Sequence, residues 1–362
     1  MKIALFYDSM VTTGGAERHI IELANSLGAD IITSGYDTKI ANWLPIKNKV
    51  INLGNVTIWW SKPIGILIES PIRFLLSKNK YKYDINIYLG SSIYGSSKRN
   101  KNIYYCLTPN KHLYYWEGLK IYNIGFLSKL IHIFYKWLFY KKDQTSVKNN
   151  FDLIITQSEY IKLKIKNIYG RNSIVIYPPI DTNKFRFKEF GDFFLTVSRL
   201  HPSKRADLIA RAFIKMPNKK LIIVGNGPEK ATISEIIKKS KNIKLFSEIS
   251  EEKLIELYST CLATIYMPAH EDFGLIPLEG MASGKACIAV NEGGCKETVI
   301  NRETGYLISP TEKEIIKTVT NFDTLIANKM KNNCIEHAKK FDVSICSLKW
   351  KQLLANTYKQ LQ

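Results

Sequence analysis

The stretch LATIYMPAHEDFGLIPLEGMASGKACIAV, Leu262 to Val290, sets two apolar runs on either side of a loop and a helical segment. LATIYMP and ACIAV are short, uninterrupted and apolar, which is how strands buried on both faces read. Pro277 suits the first turn of a helix, so PLEGMAS is the helix between them. AHEDFG is then the loop at the carboxyl end of the first strand. Strand, crossover helix and parallel strand make the βαβ unit of α/β proteins.

The same alternation runs along most of the chain. KIALFYD leads through SMVTTGGAE into RHIIELANSLG and on to ADIITSG; YDINIYLG, NIYYCL and FDLIITQS are further buried strands. A second series starts near Asp192 with DFFLTVS, ADLIARAFIKM, KKLIIVG, EKATISEIIKKS, NIKLFS and SEEKLIELYSTC. Two series predict an α/β chain of two doubly wound, Rossmann-like parallel-sheet domains. Pro178 and Pro179 in YPPIDTNKF forbid helix and mark the joint. The expected division is 1–180, 181–343, and a C-terminal helix over 344–362 that packs back on the first domain. Ligands of open α/β sheets bind beyond the carboxyl ends of the strands, so the expected site is the cleft between the domains.

Composition bounds the rest. The 362 residues are 45% hydrophobic with a formal net charge of +20, a globular chain suited to anionic partners. Residues 1–180 hold 24 Lys and Arg against 11 Asp and Glu, so the first half is the more basic. Six cysteines without a C-x-x-C pair read as small buried hydrophobes in a reducing compartment. No run is long and apolar enough to span a bilayer, and MKIALFYDSM reads as a first strand rather than a leader. Spread lysines without a recognition motif argue against nucleic acid as partner.

The loop and helix of the opening stretch also carry chemistry. Glu271 and Glu279 flank it with seven residues between them. The amides of Phe273, Gly274 and Leu275 lead into a helix N-terminus, a place for anionic oxygens, and Gly274 lets a ligand approach the backbone. Amides for phosphate and acids for hydroxyls suit a nucleotide-sugar. Arg199 and Lys204 in SRLHPSKR follow one strand and precede a helix, a fork and a point charge for a diphosphate. Gly225 and Gly227 in IIVGNGPEK permit a tight strand-to-helix turn; Gly14 and Gly15 open the first helix of the other domain. Each piece alone has a plainer reading, as a helix-start acid, a solvated cation or a turn glycine.

Together, GGAER, YPPIDTNKF, SRLHPSK, IIVGNGP, HEDFGLIPLE with its E-x7-E spacing, and NEGGCKETV followed by ETGYLI resemble the retaining family-4 glycosyltransferases of GT-B type. The resemblance is closest to mannosyltransferases. It implies that Arg199 and Lys204 neutralise the departing diphosphate, that the Phe273–Leu275 amides hold phosphate and sugar oxygens, and that Glu279 binds the ribose. It places Glu271 at the donor sugar, the turn from Phe246 to Ile249 beside the base, and Gly15 and Gly225 in the donor-binding loops. Glu271, Arg199 and Lys204 are then the catalytic set. It implies no metal or other cofactor, in keeping with the lack of a D-x-D pair, and GDP-mannose as donor. The acceptor would be a glycan or a lipid-linked glycan of a surface-glycan pathway, handled in the cytoplasm. A GT-B sugar-nucleotide epimerase and a nucleotide-sugar binder without turnover are the alternatives.

Departures from the family pattern are local. Leu107 in YCLTP stands where the family carries His, Arg205 where it carries Gly, Gly280 where it carries Ala, and Phe246-Ser247 where Gly is common. On the acceptor side, Lys129, His132 and Lys136 share one face of the helix predicted over 124–143, with Leu127, Leu130, Phe134, Trp137, Leu138 and Tyr140 covering the rest. The segment 64–78 is similar and is expected to break at Pro71. Basic amphipathic segments with Trp and Phe suit the interface of an anionic membrane; the plainer reading is helices packed on a core, and the basic first half favours reversible contact with such a membrane, at its cytoplasmic face.

Overall fold

The computed structural model describes residues 1–11, 15–37, 45–54, 62–98, 101–115 and 126–360, without the side chains of 62–67, 126–129, 131 and 360. Gly14 lies outside the described residues. The chain divides into two units, Met1–Tyr177 with Ser347–Gln362, and Pro178–Cys346.

The first unit is built on seven parallel strands: β1 Ile3–Tyr7, β2 Asp30–Thr33, β3 Val50–Asn52, β4 Ile85–Tyr88, β5 Asn102–Cys106, β6 Leu153–Thr156 and β7 Ile174–Val175. Their order is β3-β2-β1-β4-β5-β6-β7. The central strands β4 and β5 are buried along their whole length, as continuous apolar runs between two helical layers require. The order reverses between β1 and β4. There Asp8 accepts from Ser91 Oγ at 2.7 Å and from the Ser92 amide at 3.0 Å. Burial pushes its carboxyl up to about 6 against the pull of those bonds.

Helix Lys62–Leu76 runs through Pro71 instead of breaking there. Proline removes one hydrogen bond and kinks a helix, and here tertiary packing holds the turn that follows it. Phe74 is fully buried, and Gly95 of the 3-10 turn Gly90–Gly95 lies so close that a Cβ would stand 2.7 Å from the Phe74 carbonyl.

The C-terminal helix Val343–Gln360 belongs to the first unit from Ser347 onward. Trp350 is fully buried there, its ring edge-on to Tyr105 at 4.9 Å between centroids. Tyr105 also bonds His19 Nε2 at 2.7 Å. Burial lowers the His19 imidazole to about 4, so it sits neutral in this contact.

The second unit has six parallel strands: β8 Phe193–Val197, β9 Lys220–Val224, β10 Ile243–Phe246, β11 Ala263–Tyr266, β12 Cys287–Val290 and β13 Gly305–Ile308. Their order is β10-β9-β8-β11-β12-β13, with the reversal between β8 and β11. Each unit is thus a Rossmann-like parallel sheet. All six cysteines are unpaired and buried.

Candidate functional site

The reversal between β8 and β11 gathers the predicted residues of the second unit. Arg199 follows β8 and is exposed. Lys204 closes the 3-10 turn Pro202–Lys204, whose start is fixed by His201 accepting from the Ser203 amide. Glu271 lies in the loop after β11. The neighbouring strands bring Lys204 Nζ to 2.5 Å from Glu271 Oε2, and the Tyr266 hydroxyl stands 3.5 Å from the same ammonium. The two loops are also joined through the backbone, Ala269 N donating to Ser203 O at 2.7 Å. His201 is held below its ordinary value by burial and by the neighbouring Arg199 and Lys204 cations.

Helix Leu275–Ala282 begins directly beyond this pair. Gly274 is its N-cap, at φ 97°, so the N-cap residue itself brings no side chain. The first amides of a helix have no intrahelical partner, so this end presents donors beside a cation and an acid. Glu279 lies one turn in. Its Oε2 accepts from the buried Tyr258 hydroxyl at 2.8 Å. Burial first, and then the Glu279 charge, push the Tyr258 phenol well above its ordinary value, so it remains a donor.

On the other side of β8, Ser198 N donates to Val224 O, Leu200 N to Asn226 O, and Gly225 N to Phe246 O. Arg199, Gly225 and Phe246 therefore lie on three adjacent strand ends. Gly225 has a packing task of its own: at φ 156°, a Cβ would stand 1.8 Å from the Ser198 carbonyl. Phe246 and Ile249 pack, partly buried, on the cluster of Leu195, Val224, Leu257 and Tyr258. Gly15 opens helix Gly15–Leu27 of the first unit, after β1.

Sequence reasoning missed several supports. Gly293 and Gly294 were noted only as part of the resemblance. A Cβ on Gly293 would stand 2.4 Å from the Glu271 carbonyl, one on Gly294 2.4 Å from Phe273 Cα, and Gly294 N donates to Glu271 O at 2.8 Å. The pair is the bed on which the Glu271 loop lies; a Gly-Gly directly after a buried strand was its only sequence signal. Arg205 adopts φ 52°, the left-handed conformation that explains glycine there in the family, and its Nη1 reaches Glu292 Oε2 at 3.2 Å. Gly280 has a reason as well, since Thr264 Cγ2 fills the place of a Cβ at 2.8 Å. Leu107 packs against the core cluster of the first unit. Among the described residues no group of three or more His, Cys, Asp and Glu side chains is placed to hold a metal ion.

The parallel sheet of each unit is that of the GT-B fold. Residues 179–341 are a glycosyl transferases group 1 domain. The alpha-1,3/1,6-mannosyltransferase ALG2 of Dictyostelium discoideum is 28% identical over 83% of this chain and 84% of its own. The GDP-Man:Man(3)GlcNAc(2)-PP-Dol alpha-1,2-mannosyltransferase of the same organism is 26% identical, over 57% of this chain and 43% of its own. Among solved structures, Anabaena HepE in complex with UDP and glucose superposes with a TM-score of 0.75. It is 18% identical and covers 98% of this chain and 100% of its own.

Proposed function

We propose that the protein transfers mannose from GDP-mannose, with retained anomeric configuration, to a glycan or lipid-linked acceptor. The observation that carries this reading is the Lys204–Glu271 pair, set at the β8/β11 reversal before a helix N-terminus whose N-cap is Gly274. A diphosphate at that end receives amide hydrogen bonds from Gly274 and Leu275 and positive charge from Arg199 and Lys204. Cations aimed at the oxygen where charge grows as the glycosidic bond breaks stabilise the transition state more than the ground state. Glu271, released from Lys204 by the incoming diphosphate, accepts hydrogen bonds from the sugar hydroxyls. Glu279, steadied by Tyr258, accepts from the ribose, and the turn from Phe246 to Ile249 borders the base. In this reading Arg199 and Lys204 do the charge compensation, so turnover proceeds without a divalent ion.

The names of the two Dictyostelium relatives support mannose as the sugar, and the second supports GDP-mannose and a lipid-linked acceptor. A lipid-linked acceptor places the protein on a membrane surface. Among the described residues no helix is long and apolar enough to cross one, so the contact would be peripheral, with an anionic membrane at its cytoplasmic face.

One departure supports a second reading. Leu107, partly buried on the core cluster of the first unit, brings no imidazole where the family has His, as suits a nucleotide-sugar binder without turnover. Calorimetric titration with GDP, UDP, GDP-mannose and UDP-glucose, followed by turnover of each with EDTA present, separates the two. Tight binding and EDTA-resistant turnover of GDP-mannose support transfer; tight binding without turnover in the presence of lipid extracts supports the binder; no binding of any nucleotide overturns both.

A further inference from the structure

The strand ends beyond the Lys204–Glu271 pair carry a second, smaller pair. Asn226 follows β9 and Glu248 follows β10, and both residues are exposed. Asn226 Nδ2 donates to Glu248 Oε1 at 3.4 Å, a long and weak hydrogen bond. The backbone fixes which end of the amide faces the acid. Asn226 Oδ1 accepts from the Gly227 amide at 2.8 Å, so the NH2 group points to Glu248. The loop beneath is closely seated: Leu200 N donates to Asn226 O at 2.9 Å, and a Cβ on Gly227 would stand 2.3 Å from the Leu200 carbonyl. Glu248 lies in the turn from Phe246 to Ile249, and those two side chains pack on a cluster that includes Tyr258. Tyr258 in turn holds Glu279, the acid assigned to the ribose. Among the described residues Glu248 pairs with no cation and bonds Asn226 alone. The nearby Glu251, by contrast, is engaged by Lys184 at 3.1 Å.

Both the distance and the polarity of this pair suit one base. Neighbouring strands lie about 4.8 Å apart, so the end of β10, two strands from β8, is about 10 Å from the end of β8. A ribose and its base cover that span when the diphosphate rests at the β8/β11 reversal. Along its hydrogen-bonding edge guanine presents an acceptor, O6, and then two donors, N1–H and the 2-amino group. The pair presents the complement, an NH2 donor and beside it a carboxylate with two acceptor oxygens. The Asn226 amide then takes O6, and the Glu248 carboxylate takes N1–H and the amino group together, a bidentate and charge-assisted contact. Uracil presents acceptor, donor, acceptor, which sets its O2 against the carboxylate. Adenine and cytosine set an amino group against the Asn226 amide and a ring nitrogen acceptor against the carboxylate.

We infer that Asn226 and Glu248 select guanine as the base of the donor nucleotide. The inference rests on the nucleotide-sugar donor of the proposed function and names the residues that tell GDP from UDP. A site that hydrogen-bonds a polar group disfavours the analogue that lacks it, because its own acceptor loses a partner. Since both side chains are exposed, water can take the place of a missing group, and the discrimination is modest, roughly tenfold.

The full chain and its Glu248→Ala, Asn226→Ala and Glu251→Ala variants are titrated calorimetrically with GDP, UDP and inosine diphosphate, which is GDP without the 2-amino group. Melting curves check that each variant is folded. Wild type should bind GDP roughly tenfold more tightly than inosine diphosphate, and UDP more weakly than GDP. Glu248→Ala should bind GDP and inosine diphosphate alike, because the acceptor of the amino group is gone. Asn226→Ala should weaken both purine nucleotides and keep their ratio, and Glu251→Ala should behave as wild type. Equal binding of GDP and inosine diphosphate by wild type, or the same preference in Glu248→Ala, overturns the inference and leaves the nucleotide-sugar site standing. So does a preference that disappears in Glu251→Ala instead. Tighter binding of UDP than of GDP by wild type overturns the inference together with GDP-mannose as donor. Binding of no nucleotide overturns it together with the proposed function.

Discussion

Lys204 Nζ and Glu271 Oε2 stand 2.5 Å apart across the two central strand ends of the second unit, each partly exposed. The cation assigned to the leaving diphosphate and the acid assigned to the sugar therefore neutralise each other before a donor arrives. A donor must separate them, its phosphates taking the ammonium and its hydroxyls the carboxylate.

Lys204→Ala and Glu271→Ala are each expected to lower donor turnover by about 100-fold or more, as removal of a group that stabilises developing charge does. The double variant should lose less than the product of the two, because each single variant also leaves its ion-pair partner uncompensated. Single-turnover kinetics on all four proteins checks this. Losses that multiply in the double variant would mean two independent roles.

Arg205 carries the cost of a left-handed residue, about 1 kcal/mol, partly offset by its ion pair with Glu292. Arg205→Gly removes both, whereas Arg205→Ala keeps the strain and loses the pair. The glycine variant should melt about 2–4 °C above the alanine variant for a unit of this size. Scanning calorimetry gives the order directly.

Gly293→Ala places a methyl group against the Glu271 carbonyl at a backbone φ of 55°. The Glu271 loop must then shift, and turnover should fall by about 10- to 100-fold, since displacements of about 1 Å are enough for such losses. GDP affinity should change less than turnover. Kinetics beside nucleotide titration tests this, and equal losses in both would place Gly293 in nucleotide binding.

Asp143 gives a pH dependence with a definite sign. Burial raises its carboxyl to about 6, although three tyrosine hydroxyls pull it down. In the unfolded chain it ionises near 3.9. Its contribution to stability is thus full below about pH 4 and is lost as pH rises to 6, a change on the order of 3 kcal/mol. Asp143→Asn removes this dependence, so the variant's stability relative to wild type should improve between pH 4 and 6. His19 and His132 are lowered to about 4 and act oppositely over the same range, but they are common to both proteins and cancel in the difference. Melting curves of both proteins across that range check the sign.

The buried strands were legible because both faces of a central parallel strand are apolar, as in IALFY and CIAV. β3 and β7 were not: they are three and two residues long, lie at the ends of their sheet, and are half-exposed. The positions of Arg199, Lys204, Glu271 and Glu279 at strand ends could be read locally. Their supports could not, because the Tyr258–Glu279 bond and the Gly293 bed arise from residues 21 and 22 positions distant. The inner face of helix Phe126–Asn149 was not legible for a different reason. Periodicity gives its two faces, but with apolar residues on both, the choice of inner face falls to the tyrosines around Asp143, and those come from three other segments.

The most direct test of the account is transfer itself. The purified protein is incubated with GDP-mannose and a lipid-linked glycan acceptor extract in EDTA, and the product is analysed by mass spectrometry and by NMR of the new anomeric centre. The account predicts stoichiometric GDP release, a product heavier by one hexose with the donor's α configuration, and loss of both in Lys204→Ala. A β-linked product would contradict retention, and equal activity in Lys204→Ala would contradict the site.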